Sequence, residues 1–189
     1  QAVQQQAAVG QLGQCVIKSK LLNPLGGGFS FCDVANRGIQ VAIIADVEAM
    51  RALMLKERPP RHPFDLKLVD GGLIDLEFVA QSAQLLAGAT IARPQAPTAT
   101  VLHLMTAKGL LAEGERLAEI HATYAAVLQT MSAALRDPFK DEGWTDAFRD
   151  LLAQLTNTPS FARLSDDLKE MQGEVRAAAA HWYTKARAL

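Results

Sequence analysis

Between Leu73 and Leu86 the sequence is apolar nearly all the way round a helical wheel, and no other stretch constrains the fold as much. Leu76, Val79, Ala80 and Ala83 fall on one side, and Ile74, Phe78 and Leu85 on another. A helix with two apolar faces is stable only where neighbours cover both, which predicts a place in the middle of a bundle. Its few polar positions then carry information. Glu77, Gln81 and Gln84 make one narrow stripe, and Asp75 and Ser82 make a second.

The rest of the chain supplies the covering helices. Ile43, Val47, Met50 and Met54 recur four and three apart, and Pro59, Pro60 and Pro63 end that pattern. Phe64, Leu66 and Leu68 then alternate with Asp65 and Lys67, which predicts a short extended segment around 64–69 before Gly71 and Gly72 turn the chain. Pro94 and Pro97 mark a loop, Thr98 or Thr100 is the expected cap of a short helix, and Gly109 its stop. Leu117, Ile120, Tyr124, Val127, Met131 and Ala134 predict a long helix, closed by Asp137 and Pro138. Thr145 suits the cap of a helix carrying Phe148, Leu151, Leu152 and Leu155. The last helix runs from Phe161 through Leu164, Leu168, Met171, Val175 and Ala178 to Trp182, with Ser165 as a possible internal restart. The fold class is therefore all-α: an antiparallel bundle of five to six helices, occupying 43–189. Residues 1–42 are poorly determined, with a weak helical spacing at Val9, Leu12 and Val16 and a flexible connector at Gly26–Gly28.

Several function classes are excluded. Lys and Arg number 19 against 20 Asp and Glu, a net charge of −1, so no electrostatic footprint for nucleic acid or an anionic membrane exists. No apolar run approaches the ~18 residues a membrane span needs. Two cysteines, Cys15 and Cys32, make neither a disulfide framework nor a four-ligand zinc site, and a reducing cytoplasmic setting is expected. The chain starts at Gln1 rather than Met, which suggests a piece of a longer protein. Gly26–Gly28 is no phosphate loop, because no Gly-Lys-Ser/Thr follows. His62, His103, His121 and His181 include no pair at i and i+4, so no metal site is expected. The 3–4 stripes of the two long helices suit intrachain packing better than a coiled-coil dimer.

One segment resists a purely structural reading. Phe64-Asp-Leu-Lys-Leu-Val-Asp-Gly-Gly-Leu-Ile-Asp-Leu-Glu-Phe-Val-Ala-Gln sets Lys67, Asp75, Glu77 and Gln81 inside otherwise apolar sequence. A buried carboxylate without a partner costs several kcal/mol, so these groups need cations, donors or a wet cleft. Either Lys67 pairs with Asp75 or Glu77 and fastens the segment to its helix, or the cluster serves a site. Asp75 and Glu77 lie about 200° apart on an ideal helix, so both face one site only if the helix starts irregularly at the glycines.

The same residues resemble a known signature. Asp-Leu-Lys-x-x-x-Gly-Gly-Leu-x-Asp-Leu-Glu-Phe-x-x-Gln is similar to the motif of the helical domain in bacterial glutamine-synthetase adenylyltransferases, the bifunctional adenylyltransferase/deadenylylase enzymes. The Asp46–Arg51 helix, the Pro-rich lead-in and the run from Thr98 through Lys108 to Arg136 resemble the family too, over about residues 43–185. The resemblance implies a C-terminal-half helical domain beside a nucleotidyltransferase domain, which transfers AMP from ATP to a tyrosine of glutamine synthetase using Mg²⁺. It implies glutamine synthetase as a partner and admits a PII-type signal protein, the latter making this a regulatory module instead. The family's metal-binding aspartates belong to an Asp-x-Asp pattern in the nucleotidyltransferase domain, and this chain has no Asp-x-Asp. No catalytic residue, cofactor or metal is therefore expected here. Lys67, Asp75, Glu77 and Gln81 are the expected support for the neighbouring active site, with Gly71 and Gly72 as the motif's turn: Lys67 toward phosphate charge, the carboxylates positioning Lys67 or a metal-bound water.

Overall fold

The first helix, α1 (Phe31–Glu57), stops just short of Pro59 and Pro60, which supply no backbone N–H and restrict the residue before them. It begins ahead of Ile43 and so crosses the expected boundary at 42/43. The computed structural model describes residues 31–87, 91 and 96–188, and among them there are six α-helices and no strand. The expected helix at Val9–Val16, the Gly26–Gly28 connector and Pro94 lie outside the described residues. After α1 come α2 (Leu73–Ala87), α3 (Thr98–Ala107), α4 (Gly114–Ala134), α5 (Asp146–Leu155) and α6 (Phe161–Ala186), with a 3₁₀ turn at Asp141–Gly143.

α2 is the centre, packing against α1, α3, α4 and α6. Ile74, Leu76, Val79, Ala80 and Ala83 are all buried. Ser82, on the polar stripe with Asp75, is also buried, and it is satisfied twice: its hydroxyl donates to the Val79 carbonyl at 2.9 Å and accepts from Trp182 Nε1 at 2.8 Å. A polar side chain can sit in the core because each of its neighbours answers it.

The predicted extended segment around 64–69 is not formed. Instead the chain coils through successive turns: Leu68 N and Val69 N both donate to the Asp65 carbonyl (2.9 and 3.0 Å), and Gly72 N donates to Val69 O (2.9 Å). Phe64, Asp65 and Leu66 are all buried, so the apolar alternation never corresponds to two opposite faces. With no strand beside it among the described residues, this backbone satisfies its hydrogen bonds locally. Phe64 anchors the lead-in, stacked on Phe161 (5.2 Å between centroids) and edge-on to Trp144 (5.0 Å).

Two capping expectations also change. Pro97 precedes α3 and no side chain caps it, so neither Thr98 nor Thr100 has that role. α6 runs unbroken through Ser165, and its cap is Ser160, which accepts from Arg163 N at 3.2 Å. Thr145 does cap α5, accepting from Phe148 N at 3.3 Å. Gly109 closes α3 at φ +67°, a left-handed conformation that suits glycine.

A clasped glycine turn as the candidate functional site

Residues 66–75 form a turn held from three helices. Gly71 has φ +81°, and a Cβ there would collide with the backbone carbonyl of Gln172 on α6. A Cβ on Gly72 would come within 2.6 Å of the Leu66 carbonyl oxygen. Only glycine permits so close an approach at both positions. The compact turn then points its two N–H groups at one acceptor: Gly71 N and Gly72 N donate to Asp75 Oδ2 at 2.7 and 3.2 Å.

Asp75 is buried, and its cation comes from α1. Arg51 meets it as a fork, Nε to Oδ1 at 2.5 Å and Nη2 to Oδ2 at 3.0 Å. The same Nη2 donates to the carbonyls of Leu68 (3.3 Å) and Val69 (3.1 Å). One guanidinium thus ties α1, the turn and the first residues of α2 together, with both side chains about nine-tenths buried. The hydrogen bond to Asp75 raises the Arg51 pKa above its ordinary value, against the opposing effect of burial. Such a bidentate pair is strong because each donor has a fixed acceptor. From α4, the Tyr124 hydroxyl donates to Gly71 O at 3.3 Å, and burial pushes its pKa up. From α6, Arg176 Nη1 donates to the Asp70 carbonyl at 3.0 Å.

The sequence-predicted residues separate around this clasp. Asp75 is committed to Arg51 and the glycine amides, so Lys67 is not its partner. Lys67 is exposed on the outer side of the turn, and its side chain makes no ion pair among the described residues. Glu77 is half-buried on the far side of α2 from Asp75, where its charge acts on His121 of α4. Burial nevertheless dominates at His121 and lowers its pKa below the usual 6.5. Gln81 is exposed one turn further along. Sequence reasoning missed Arg51 as a site residue. Its signal was present: Arg51 lies between Val47 and Met54 on the buried side of α1, where a cation demands a buried acid.

The described residues contain no group of three or more His, Cys, Asp and Glu placed to hold a metal ion. No described helix is long and apolar enough to cross a membrane. The large hydrophobic side chains left exposed lie on α1 (Val41, Met50, Leu53, Leu55), α2 (Leu85) and α5 (Leu151, Leu155), with none on α4 or α6.

Comparison with known proteins places this architecture. The GlnD PII-uridylyltransferase family model matches residues 47–136, a span containing Arg51, the clasped turn and all of α2, α3 and α4. A bifunctional glutamine synthetase adenylyltransferase/adenylyl-removing enzyme of Mesorhizobium japonicum is 37% identical over 129 residues, 67% of this chain and 13% of that protein. Proteins of the same description from Brucella suis and Caulobacter vibrioides are each 36% identical, over 72% and 71% of this chain and 14% of their own length. The chain therefore spans about one-seventh of the curated relatives it matches. No solved structure matches it.

Proposed function

Because the chain belongs to the family of bifunctional glutamine synthetase adenylyltransferase/adenylyl-removing enzymes, we propose that it is a helical accessory domain that presents the clasped turn to a neighbouring nucleotidyltransferase domain. The reaction supported there is AMP transfer from ATP to a tyrosine of glutamine synthetase, in the C-terminal half of the parent enzyme. The observation that carries this reading is the division of labour between two cations. Arg51 does the fastening, so the exposed Lys67 is not needed to hold the fold and is available to an anionic group outside it. Polyphosphate is the anion such a reaction supplies, and a lysine beside it stabilises charge that develops during transfer. Glu77 and Gln81, on the side of α2 away from Asp75, are assigned a weaker supporting role in this reading. Mg²⁺ and ATP belong to the neighbouring domain in this reading, and the described residues offer no metal-holding group.

A regulatory module binding a PII-type signal protein would be expected to show exposed apolar surface on α4 or α6, and no described large hydrophobic is exposed there. The enzyme-supporting reading is therefore preferred. Its test is a hybrid in which this chain replaces the matching segment of the Mesorhizobium japonicum relative. Lys67→Met should lower AMP incorporation into glutamine synthetase at least tenfold, about 1.4 kcal/mol of transition-state stabilisation, while the melting temperature of the chain stays put. Unchanged incorporation would end the assignment of Lys67. The 189-residue chain alone should incorporate no AMP above a protein-free control, since it lacks the Asp-x-Asp pattern.

A further inference from the structure

Every backbone carbonyl from Asp65 to Gly71 accepts a hydrogen bond. Asp65 O accepts from Leu68 N and Val69 N, Leu66 O from Leu73 N at 2.8 Å, and Lys67 O from Ile74 N at 3.3 Å. The next four receive side-chain donors from three helices: Arg51 of α1 at Leu68 and Val69, Arg176 of α6 at Asp70, and Tyr124 of α4 at Gly71. The glycine end of the turn also lies against Lys67, since a Cβ on Gly72 would come within 3.2 Å of the Lys67 carbonyl oxygen. Water can answer a carbonyl at an exposed position such as Asp70. Side-chain donors add what water does not: a fixed place for the backbone, and so for the point at which the Lys67 side chain leaves it.

The Arg51 guanidinium does two separable things. Its bonds to both Asp75 oxygens hold α1 to the start of α2. Its Nη2 bonds to the carbonyls of Leu68 and Val69 hold the two residues that directly follow Lys67. An ammonium can answer Asp75 as a point charge, but it lacks the planar fork that reaches the acid and both carbonyls at once. We propose that Arg51 and Tyr124 are positioning residues for Lys67: by holding the carbonyls of Leu68, Val69 and Gly71 they set where that lysine meets the anionic group of the substrate. The proposal rests on the reading of Lys67 given above, and goes past it by making two inward-facing side chains of other helices determinants of the rate. Neither touches the substrate; both act through the backbone of the turn. Arg51 has the larger effect, because it holds two carbonyls with a charged donor and Tyr124 holds one with a hydroxyl.

The experiment is a double-mutant cycle in the hybrid enzyme described above, with AMP incorporation scored per folded molecule. Arg51→Lys should lower kcat about fivefold or more and leave the KM for ATP within about twofold, the split that follows when an interaction made only in the transition state is lost. In the Lys67→Met background the same substitution should change kcat by less than about twofold, because the group it positions is gone. Tyr124→Phe, which keeps the ring in the core, should lower kcat about threefold and be equally silent beside Lys67→Met. Leu152→Ala, in the core of α5, should lower the melting temperature and leave kcat per folded molecule unchanged, which separates positioning from stability. A folded Arg51→Lys enzyme with the parental kcat overturns the proposal, as does a loss that persists undiminished beside Lys67→Met. If Arg51→Lys does not fold, a parental kcat in Tyr124→Phe overturns it instead. Should Lys67→Met itself leave incorporation unchanged, the functional reading of Lys67 fails and takes this proposal with it. Where Lys67→Met costs its tenfold and the two losses simply multiply, the positioning role alone is lost.

Discussion

α1 and α2 both carry large apolar side chains away from their main packing face, and the bundle treats them differently. α2 is packed by four other helices, with even its serine hydrogen-bonded to a tryptophan 100 residues away, and of its second apolar side Ile74 is buried, Phe78 half-buried and Leu85 exposed. α1 is covered on one face by α2 and α6 and leaves Val41, Leu53 and Leu55 in water. Apolar side chains away from the packing face therefore have two meanings. Where the domain itself supplies the cover, they mark a core element; where it does not, they stay at the surface among charged neighbours such as Lys56 and Asp46.

The sharpest way to break this contrast is to place the same kind of charge in each helix. Val79→Asp puts a carboxylate at a position 1% exposed and should cost about 4 kcal/mol or more, enough to unfold a marginal domain. Leu53→Glu should stay within about 0.5 kcal/mol in the isolated chain. Chemical denaturation of both variants measures the difference. Similar losses would mean that the outward face of α1 is packed after all.

A smaller effect comes from the joint between the two helices. Arg51→Met strands Asp75 beside the glycine amides and should cost about 3 kcal/mol, whereas Arg51→Lys, which keeps the charge but not the fork, should recover part of it. If Arg51→Met melts like the parent chain, the clasp is decorative and α1 is held by its apolar side alone.

The smallest effect lies on α4, where His121 feels the charge of Glu77 on α2. His121 is half-buried and its pKa is lowered, chiefly by burial, so the folded state disfavours the protonated form. The sign follows directly: its contribution is fully present above pH 6.5, and stability falls as pH drops below 6.5, because the unfolded chain takes up the proton first. His121→Gln should flatten that part of a stability-versus-pH curve by a small amount. An unchanged slope would mean that His121 is not held from protonation by the fold.

How much of this was legible in the sequence follows from the same two helices. The central place of α2 was readable because its apolar residues leave almost no polar arc, a pattern with one physical solution. The turn before it was misread because a five-residue alternation is compatible with a strand and with tight turns, and only the burial of Asp65 beside Phe64 and Leu66 decides. Arg51 does not stand out as a site residue because the apolar rhythm of α1 runs past it, and its need for an acid shows only once its inward side is packed against Asp75. Asp75, Gly71 and Gly72 stood out as one unit, and the structure joins them through hydrogen bonds. That Lys67 faces outward while Asp75 faces inward could not be known until the extended segment was replaced by a turn.

The hydrogen bond between Trp182 and Ser82 also bears on the order in which the chain is made. The 100 residues between them mean that α2 leaves the ribosome long before the helix that closes its far wall. At ~5–20 residues per second that interval is roughly 5–20 s, long compared with the collapse of a small chain. During it, the wall of α2 that α6 will cover has no native cover, and a chain halted before Phe161 should bind a hydrophobic dye that the finished chain does not. The nascent domain thus spends its most aggregation-prone interval waiting for its last helix, and any factor that shields newly made chains would find its target on α2.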